Sequence, residues 1–194
     1  MKITHVIVGL QADGAELMLQ RLIESHQGDS RFQHAIISLT ALGTLGPQLR
    51  SIGVEVQALH MRGARDIPRI LWQLTRGLRQ QHSDVVQTWM YHADLLGGLA
   101  ARFAGCKNIV WGVRNTDLPA GSSRATAMVR WLCARLSGWV PHTIVCAAEA
   151  SRRAHAALGY SAERMVVVPN GFDLGRLQAA PDQTDALRIE CGFA

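Results

Sequence analysis

Short apolar runs alternate with amphipathic segments along most of the chain. Residues 3–9 form a compact apolar run that ends in glycine, and residues 14–25 then carry leucine and isoleucine at helical spacing. A short continuous apolar run is typical of a buried strand, whereas apolar residues repeating about every 3.6 positions indicate a helix. The chain is therefore predicted to open with a strand, a loop and a helix.

The same alternation continues to about residue 168. Further strands are predicted at 34–39, 54–59, 84–90, 108–113, 142–147 and 165–168. Further helices are predicted at 45–52, 67–78, 92–104, 125–136 and 149–158, and Asp66 is placed to cap the helix at 67–78. Strands that are apolar on both faces and alternate with helices predict a doubly wound, parallel, Rossmann-like α/β sheet. Ligands of such sheets bind beyond the carboxyl ends of the strands.

Composition favours a single folded domain. Of the 194 residues, 48% are apolar, which is enough to build one sizeable core. The four cysteines form no C-x-x-C pair, so reduced, buried thiols are expected at Cys106, Cys133, Cys146 and Cys191. The apolar stretch at the N-terminus is too short for a secretory signal, and no run approaches the roughly 20 residues of a transmembrane helix. We therefore expect a cytoplasmic protein.

The formal net charge of +5 does not by itself select a partner. No nucleic-acid-binding motif accompanies it, so nucleic acid is not an expected ligand. A basic cluster lies on and before the helix predicted at 67–78: Arg62, Arg65, Arg69, Arg76 and Arg79, with Trp72 among them. It could contact lipid phosphates at the inner face of a membrane, or it could be a solvated helix face with Trp72 packed on the sheet.

Residues 166–173, Val-Val-Val-Pro-Asn-Gly-Phe-Asp, carry a resemblance to a known family. They resemble the I-P-N-G-V-D element that joins the two Rossmann-like halves of retaining, family-four GT-B glycosyltransferases. Three other segments agree in order and spacing: Gly14-Ala15-Glu16, the stretch 90–97 (Met-Tyr-His-Ala-Asp-Leu-Leu-Gly) and the stretch 146–150 (Cys-Ala-Ala-Glu-Ala). Many family members have a run of glycines before the first of these, where this chain has Gln11-Ala12-Asp13.

The resemblance implies an acceptor-binding domain at 1–170, and a linker with the start of a donor-binding domain at 171–194. The whole protein would transfer a sugar from a nucleoside diphosphate sugar to a glycan or glycolipid acceptor. Because the nucleotide sugar would be bound mainly by the second domain, this chain alone is not expected to complete a transfer. No cofactor is implied, and no metal is expected because no paired-carboxylate D-x-D element appears.

The candidate site residues follow the predicted strands. His92 aligns with the family's cleft histidine and is expected to contact a sugar beside Tyr91, although helix capping or simple burial would also explain a histidine here. Gly14, Ala15 and Glu16 open a helix whose free N–H groups could face an anionic group. An ordinary turn capped by Asp13 is the alternative.

Three further candidates follow the fifth strand, and another follows the sixth. Arg114, Asn115 and Asp117 could bond an acceptor hydroxyl or phosphate, or Arg114 and Asp117 could form a salt bridge that fixes the loop. Glu149 could face the cleft or simply be a favourable acid in the first turn of a helix. The hinge between domains is expected at Asn170, Gly171 and Asp173, where Asn and Asp would satisfy their own backbone.

Two other functions compete with a glycosyltransferase. A dinucleotide-binding oxidoreductase should carry G-x-G-x-x-G after the first strand, and the positions of Gly9 and Gly14 do not fit that spacing. The second strand also ends in Ser38-Leu39-Thr40 and not in the acid that binds ribose. A non-catalytic sugar-binding module remains open on the sequence.

Overall fold

The structure, a computed structural model, describes residues 1–118, 121–172 and 189–190. Its strands are β1 (Lys2–Ile7), β2 (Gln33–Ser38), β3 (Glu55–Ala58), β4 (Val85–Trp89), β5 (Ile109–Val113), β6 (Thr143–Cys146) and β7 (Met165–Val167). Its helices are α1 (Gly14–Ser25), α2 (Leu45–Ser51), α3 (Ile67–Gln81), α4 (Tyr91–Ala104), α5 (Arg124–Leu136) and α6 (Glu149–Ala157). Single turns of 3-10 helix lie at Ala64–Asp66 and Ala162–Arg164. Most of the predicted linker at 171–194 lies outside the described residues.

The strands form one parallel sheet in the order β3-β2-β1-β4-β5-β6-β7. The chain builds outward from β1 to β3, returns through α3 to β4 beside β1, and then builds outward in the other direction. The strand order therefore reverses between β1 and β4, which is the switch point at which doubly wound sheets bind ligands. The doubly wound, Rossmann-like fold predicted from the sequence is confirmed.

The sheet has a core on each face. Val6 belongs to a large cluster with side chains of α3, α4 and α5, whereas its neighbour Ile7 belongs to a smaller cluster with α1 and α2. Adjacent strand residues point to opposite faces of the sheet, so α1 and α4 pack on opposite faces. Helix α4 packs especially close to the sheet because a Cβ atom on Gly97 would lie only 2.9 Å from Cγ1 of Val6.

Two local predictions about α3 are wrong. Asp66 does not cap the helix, because the preceding 3-10 turn leaves it in a helical conformation and its carboxylate accepts the Arg62 N–H at 2.8 Å. Trp72 does not pack on the sheet, since 61% of it is exposed. Of the basic cluster, Arg69 and Arg79 donate to the backbone carbonyls of residues 59 and 103.

Cys133 and Cys146 are buried and Cys106 is half-buried, all three as free thiols, while Cys191 lies outside the described residues. Within the described part of the chain, no helix combines the length and apolar character that crossing a bilayer requires.

Candidate functional site

The loops that follow β1, β4 and β5 meet at one edge of the sheet. Ile7 is paired with Trp89, and Trp89 with Gly112, so these three strands end side by side. We call this the carboxyl edge, and the opposite end of the strands the amino edge. The carboxyl edge brings together the start of α1 at 14–16, His92 and Arg114. Ligands of doubly wound sheets bind beyond the carboxyl ends of the strands, and we call this the strand-end rule.

The turn from β4 into α4 is strained at Met90. Its φ of 72° and ψ of 158° fall in a region that is ordinarily left to glycine, at a cost of about 1–3 kcal/mol. Two backbone hydrogen bonds hold it there: Met90 N–H donates to the carbonyl oxygen of Gly112 at 3.1 Å, and Asp94 N–H donates to that of Met90 at 2.8 Å. Such strain is typical of functional sites, and this turn carries His92.

His92 is half-buried in the first turn of α4 and has no hydrogen-bond partner among the described residues. It does not cap the helix, because the capping position is Met90. Burial lowers the pKa of His92, so the imidazole is neutral at pH 7. A neutral imidazole offers one donor and one acceptor, which is the pattern that a sugar hydroxyl matches.

Tyr91, expected to bind substrate, is instead a core residue. It is only 4% exposed, and its hydroxyl lies 2.8 Å from Nε2 of His155. Because Nδ1 of His155 donates to the carbonyl oxygen of Ser151 at 2.8 Å, Nε2 accepts and the tyrosine donates. Ser151 in turn donates to the carbonyl oxygen of Asn115 at 2.9 Å. Tyr91 therefore helps to hold the loop after β5 in place from the core, through His155 and Ser151.

The salt bridge considered between Arg114 and Asp117 does not form. Asp117 pairs with Arg130 at 2.8 Å, and hydrogen bonding from Arg130 lowers the pKa of Asp117. Arg130 lies 13 residues further along the chain, and α5 brings it back over the loop. Asp117 is thus a loop-fixing residue with a different partner from the one expected.

Arg114 lies at the carboxyl edge between two groups. Its Cζ is 4.6 Å from the centre of the Trp89 ring, and one of its terminal nitrogens donates to Oδ1 of Asn170 at 2.9 Å. Its Nε is buried and has no hydrogen-bond partner in the described part of the chain. Burial lowers the pKa of Arg114, but guanidinium remains charged at neutral pH. Because only one terminal nitrogen is bonded to Asn170, Arg114 retains the donors of the other terminal nitrogen for a ligand.

The predicted hinge touches this edge. The Asn170 side chain accepts from Arg114, and it does not serve its own backbone as expected. The ring of Phe172, beyond Gly171, lies 4.9 Å from Cζ of Arg21 on α1. Asp173 lies outside the described residues.

The start of α1 is flanked by acids. Asp13 occupies the capping position but makes no side-chain capping bond. Glu16 is half-buried, and burial raises its pKa, with a contribution from Asp13 in the same direction. Two carboxyl groups beside the free N–H groups of residues 14–16 make this corner better suited to a neutral hydroxyl than to an anion.

Glu149 lies one strand further from the switch point, in the first turn of α6. It forms an ion pair with Arg152 at 2.7 Å, and hydrogen bonding from that arginine lowers the pKa of Glu149. This geometry agrees with the alternative in which Glu149 is simply a favourable acid in the first turn of a helix. In the ranges 1–118, 121–172 and 189–190, no three His, Cys, Asp or Glu side chains are grouped to hold a metal ion.

Asp94 is a site residue that sequence reasoning missed. It is fully buried under the turn at Met90, and its Oδ1 accepts from Oγ1 of Thr88 at 2.5 Å. Burial raises the pKa of Asp94 to about 8. The one available signal was an acid set between apolar residues at 93 and 95, on a helix otherwise rich in alanine and leucine.

A chain of hydrogen-bonded histidines was also missed. Trp89 donates from Nε1 to Nδ1 of His5 at 3.3 Å, and His5 contacts His34, which contacts His26, each at 3.0 Å. Because an indole nitrogen only donates, neutral His5 and neutral His34 each carry the proton on Nε2 and donate it to the next ring. The chain runs from the ring beneath Arg114 to the amino edge, where a cavity of about 410 Å³ is lined by His26, His34 and Phe32.

Comparisons with known proteins agree with this fold. The sequence profile of Glycosyltransferase Family 4 matches residues 12–176. HepE of Anabaena in complex with UDP and glucose has a TM-score of 0.78 at 18% identity, over 99% of this chain and 50% of that chain. A glycosyltransferase from Rickettsia africae has a TM-score of 0.67 at 11% identity, over 99% of this chain and 50% of that one.

UDP-N-acetylglucosamine 2-epimerase from Rickettsia bellii has a TM-score of 0.61 at 14% identity, over 88% of this chain and 45% of that chain. At such identities the likeness concerns the fold. The chain spans about half the length of these solved structures. No protein of curated function matches the sequence.

Proposed function

The chain belongs to Glycosyltransferase Family 4, and on that premise we propose that it is the acceptor-binding half of an enzyme that transfers a sugar from a nucleoside diphosphate sugar to a glycan or glycolipid. The family match and the seven-stranded parallel sheet make the chain one Rossmann-like half of a GT-B fold. The observation that carries the proposal is the meeting of His92, Arg114 and the start of α1 at the switch point of the sheet.

The chemistry of this edge suits a hydroxyl-bearing acceptor. His92 is neutral and has its ring nitrogens free for hydrogen bonding within the described structure. The acids at the start of α1 disfavour an anion there, whereas Arg114 provides fixed positive charge on the other side. The edge therefore combines hydrogen-bonding groups for a sugar with one cation for the phosphate side of the reaction.

The donor is proposed to be a nucleoside diphosphate sugar held mainly outside this chain. HepE, which has the same fold, is in complex with UDP and glucose, and this chain covers half of its length. Transfer needs the acceptor hydroxyl held against the sugar of the donor, so one half alone provides positioning without a complete reaction centre. We infer that the 194-residue chain binds an acceptor weakly and does not turn over nucleotide sugar.

Contact with the inner face of a membrane is proposed for the surface formed by α3, α4, α5 and the turn after α5. Tryptophan is enriched where proteins meet the lipid headgroups, and arginine is attracted to anionic lipid. Three tryptophans here are more than half exposed and carry an arginine over the ring: Trp72 with Arg76 at 5.4 Å, Trp131 with Arg135 at 5.3 Å and Trp139 with Arg102 at 5.7 Å. Co-sedimentation with phosphatidylglycerol vesicles but not with phosphatidylcholine vesicles is expected, and equal recovery with both would contradict it.

The test of the main proposal compares binding and turnover. Isothermal titration of the chain with methyl α-glucoside and other simple acceptors should show weak binding that is lost in His92→Ala and kept in His82→Ala, an unrelated histidine at the end of α3. Hydrolysis of UDP-glucose by the chain alone should stay at the level of buffer. Acceptor binding that is unaffected by the His92 substitution would favour the rival, a sugar-binding module that uses another surface.

A further inference from the structure

Asp94 is a buried acid that the proposed function has not used. Its Oδ1 accepts from Thr88 of β4 at 2.5 Å and from the N–H of Gly112 of β5 at 3.4 Å. Its Oδ2 is buried and has no hydrogen-bond partner in the described part of the chain. A buried carboxyl group with half of its bonding capacity unused is costly to a fold, so stability alone does not account for an acid at this position.

Asp94 is hydrogen-bonded to both strands beneath the strained turn and to Met90 within it. Its side chain bonds both strands that flank the turn, and its N–H donates to the carbonyl oxygen of Met90 at 2.8 Å. The two strands are unusually close at this point, because a Cβ atom on Gly112 would lie 2.7 Å from the carbonyl oxygen of Thr88. The acid therefore sits where β4, β5 and α4 converge, directly beneath the turn that presents His92.

Among the titratable groups that face Asp94 in the described structure, Arg114 is the charged one. Tyr91 lies on its own helix, Cys133 faces it from α5, and Tyr160 faces it from the segment after α6. Burial raises the pKa of all three, so they stay neutral across the physiological range. Arg114, at the end of β5, is the charged group among the described residues whose field reaches Asp94.

We propose that Asp94 is a positioning residue: its carboxyl group clasps β4 to β5 beneath the turn that presents His92, and its ionisation weakens the hold of Arg114 on an anionic ligand at the carboxyl edge. The orphaned Oδ2 of Asp94 and the orphaned Nε of Arg114 carry opposite charges when both groups are ionised. When Asp94 is neutral, the charge of Arg114 is available to a ligand. The ligand part of the inference rests on the proposed function.

Nuclear magnetic resonance of the ligand-free chain tests the clasp directly. Because burial raises the pKa of Asp94 to about 8, the side-chain signals of His92 and Arg114 should both show a step near that pH. The step should vanish in Asp94→Asn. In Thr88→Val it should move to higher pH, because the Thr88 hydrogen bond lowers the pKa of Asp94. Thr88→Ser, which keeps the hydroxyl, should restore the original position.

A merely structural acid would give no step at His92 or Arg114, or the same step in Asp94→Asn, and either result would overturn the proposal. Thr88→Val keeps the native acid, so the titration remains informative if Asp94→Asn does not fold. A step that stays in place in Thr88→Val would contradict the assignment of the titrating group.

Pyrophosphate is the probe for the ligand part. Ionisation of Asp94 should weaken its binding by about threefold between pH 7 and pH 9 relative to Asp94→Asn, which corresponds to a shift of about half a pKa unit by linkage. An equal pH dependence in both proteins, or no pyrophosphate binding at all, would overturn this part. Pyrophosphate binding with the expected pH dependence but without any binding of methyl α-glucoside would leave Asp94 as inferred and remove the proposed function.

Discussion

The two edges of the sheet use buried polar side chains in opposite ways. Toward the amino edge, His5 and His34 spend both ring nitrogens on a chain that leads from Trp89 through the middle of β1 to His26, whose ring stacks on Phe32 at 4.3 Å. At the carboxyl edge, Asp94 and Arg114 each keep a buried atom without a partner in the described structure, and Met90 is strained. One edge is internally satisfied and the other is not.

The cavity lies at the edge of the sheet opposite to the candidate site. A cavity of about 410 Å³ opens at the amino edge, away from the residues that the strand-end rule selects. Half of a crevice between two domains does not enclose a volume, so cavity size is a poor guide to its location. The unsatisfied atoms of Asp94 and Arg114 and the strain at Met90 lie at the carboxyl edge instead, where a ligand or a second domain can relieve these costs.

Replacing one histidine of the satisfied chain and one histidine of the carboxyl edge should separate the two regions most strongly. His5→Ala removes a fully buried ring and breaks the hydrogen-bonded chain, so it should lower the free energy of unfolding by about 3 kcal/mol. His92→Ala removes a half-buried ring without partners among the described residues and should change it by less than about 0.5 kcal/mol. Urea denaturation of both variants measures the difference, and similar losses would erase the contrast.

The second largest effect is expected from acid, which should lower the free energy of unfolding through the histidine chain. Burial lowers the pKa of His5 to about 3 and also lowers the pKa of His34, so the folded chain binds fewer protons than the unfolded chain. Stability is then fully present above pH 6.5 and is lost as the pH falls toward 3, with His5 alone costing up to about 1.4 kcal/mol per pH unit. Thermal melts between pH 7 and pH 4.5 should show this slope, and His5→Gln should flatten it.

The close approach of β4 and β5 should make Gly112→Ala costly, by about 2 kcal/mol, because the added Cβ meets the carbonyl oxygen of Thr88 at 2.7 Å. Gly138→Ala is the matched control, since a Cβ there meets nothing within 4 Å, and it should change stability by no more than about 0.5 kcal/mol. Chemical denaturation compares them. Equal stability of the two variants would mean that the strands can separate under the turn.

The smallest effect is expected for the loop after β5. Ser151→Ala removes the hydrogen bond to the carbonyl oxygen of Asn115 and should cost about 1 kcal/mol, expressed as faster amide exchange in residues 115–118. Ser51→Ala, whose hydroxyl serves only its own helix, should leave that exchange unchanged. Unaltered exchange in Ser151→Ala would show that the network behind Tyr91 does not hold the loop.

The fold could be predicted from the sequence because its signal is local. Each strand is a short apolar run and each helix a 3.6-residue pattern, and alternation of the two leaves a parallel sheet as the natural solution. The strand-end rule then selected His92 and Arg114 from their order alone. These inferences need no knowledge of which side chains meet.

The rest of the site could not be predicted because it depends on long-range contacts. Tyr91 meets His155, 64 residues away, and Trp89 meets His5 across 84 residues. The expected pairing of Arg114 with Asp117 relied on closeness in sequence, but Arg130 on the next helix reaches Asp117 first. In the sequence, Asp94 is only one polar residue in an apolar helix, and its role depends on the two strands that pack beneath it.

Chemical-shift mapping of the labelled chain with methyl α-glucoside tests most directly whether the carboxyl edge is the acceptor site. We expect shifts at residues 14–16, at His92 and at Asn115, with the signals of His26 and Phe32 unmoved. Shifts confined to His26, Phe32 and their neighbours at the amino edge would contradict it.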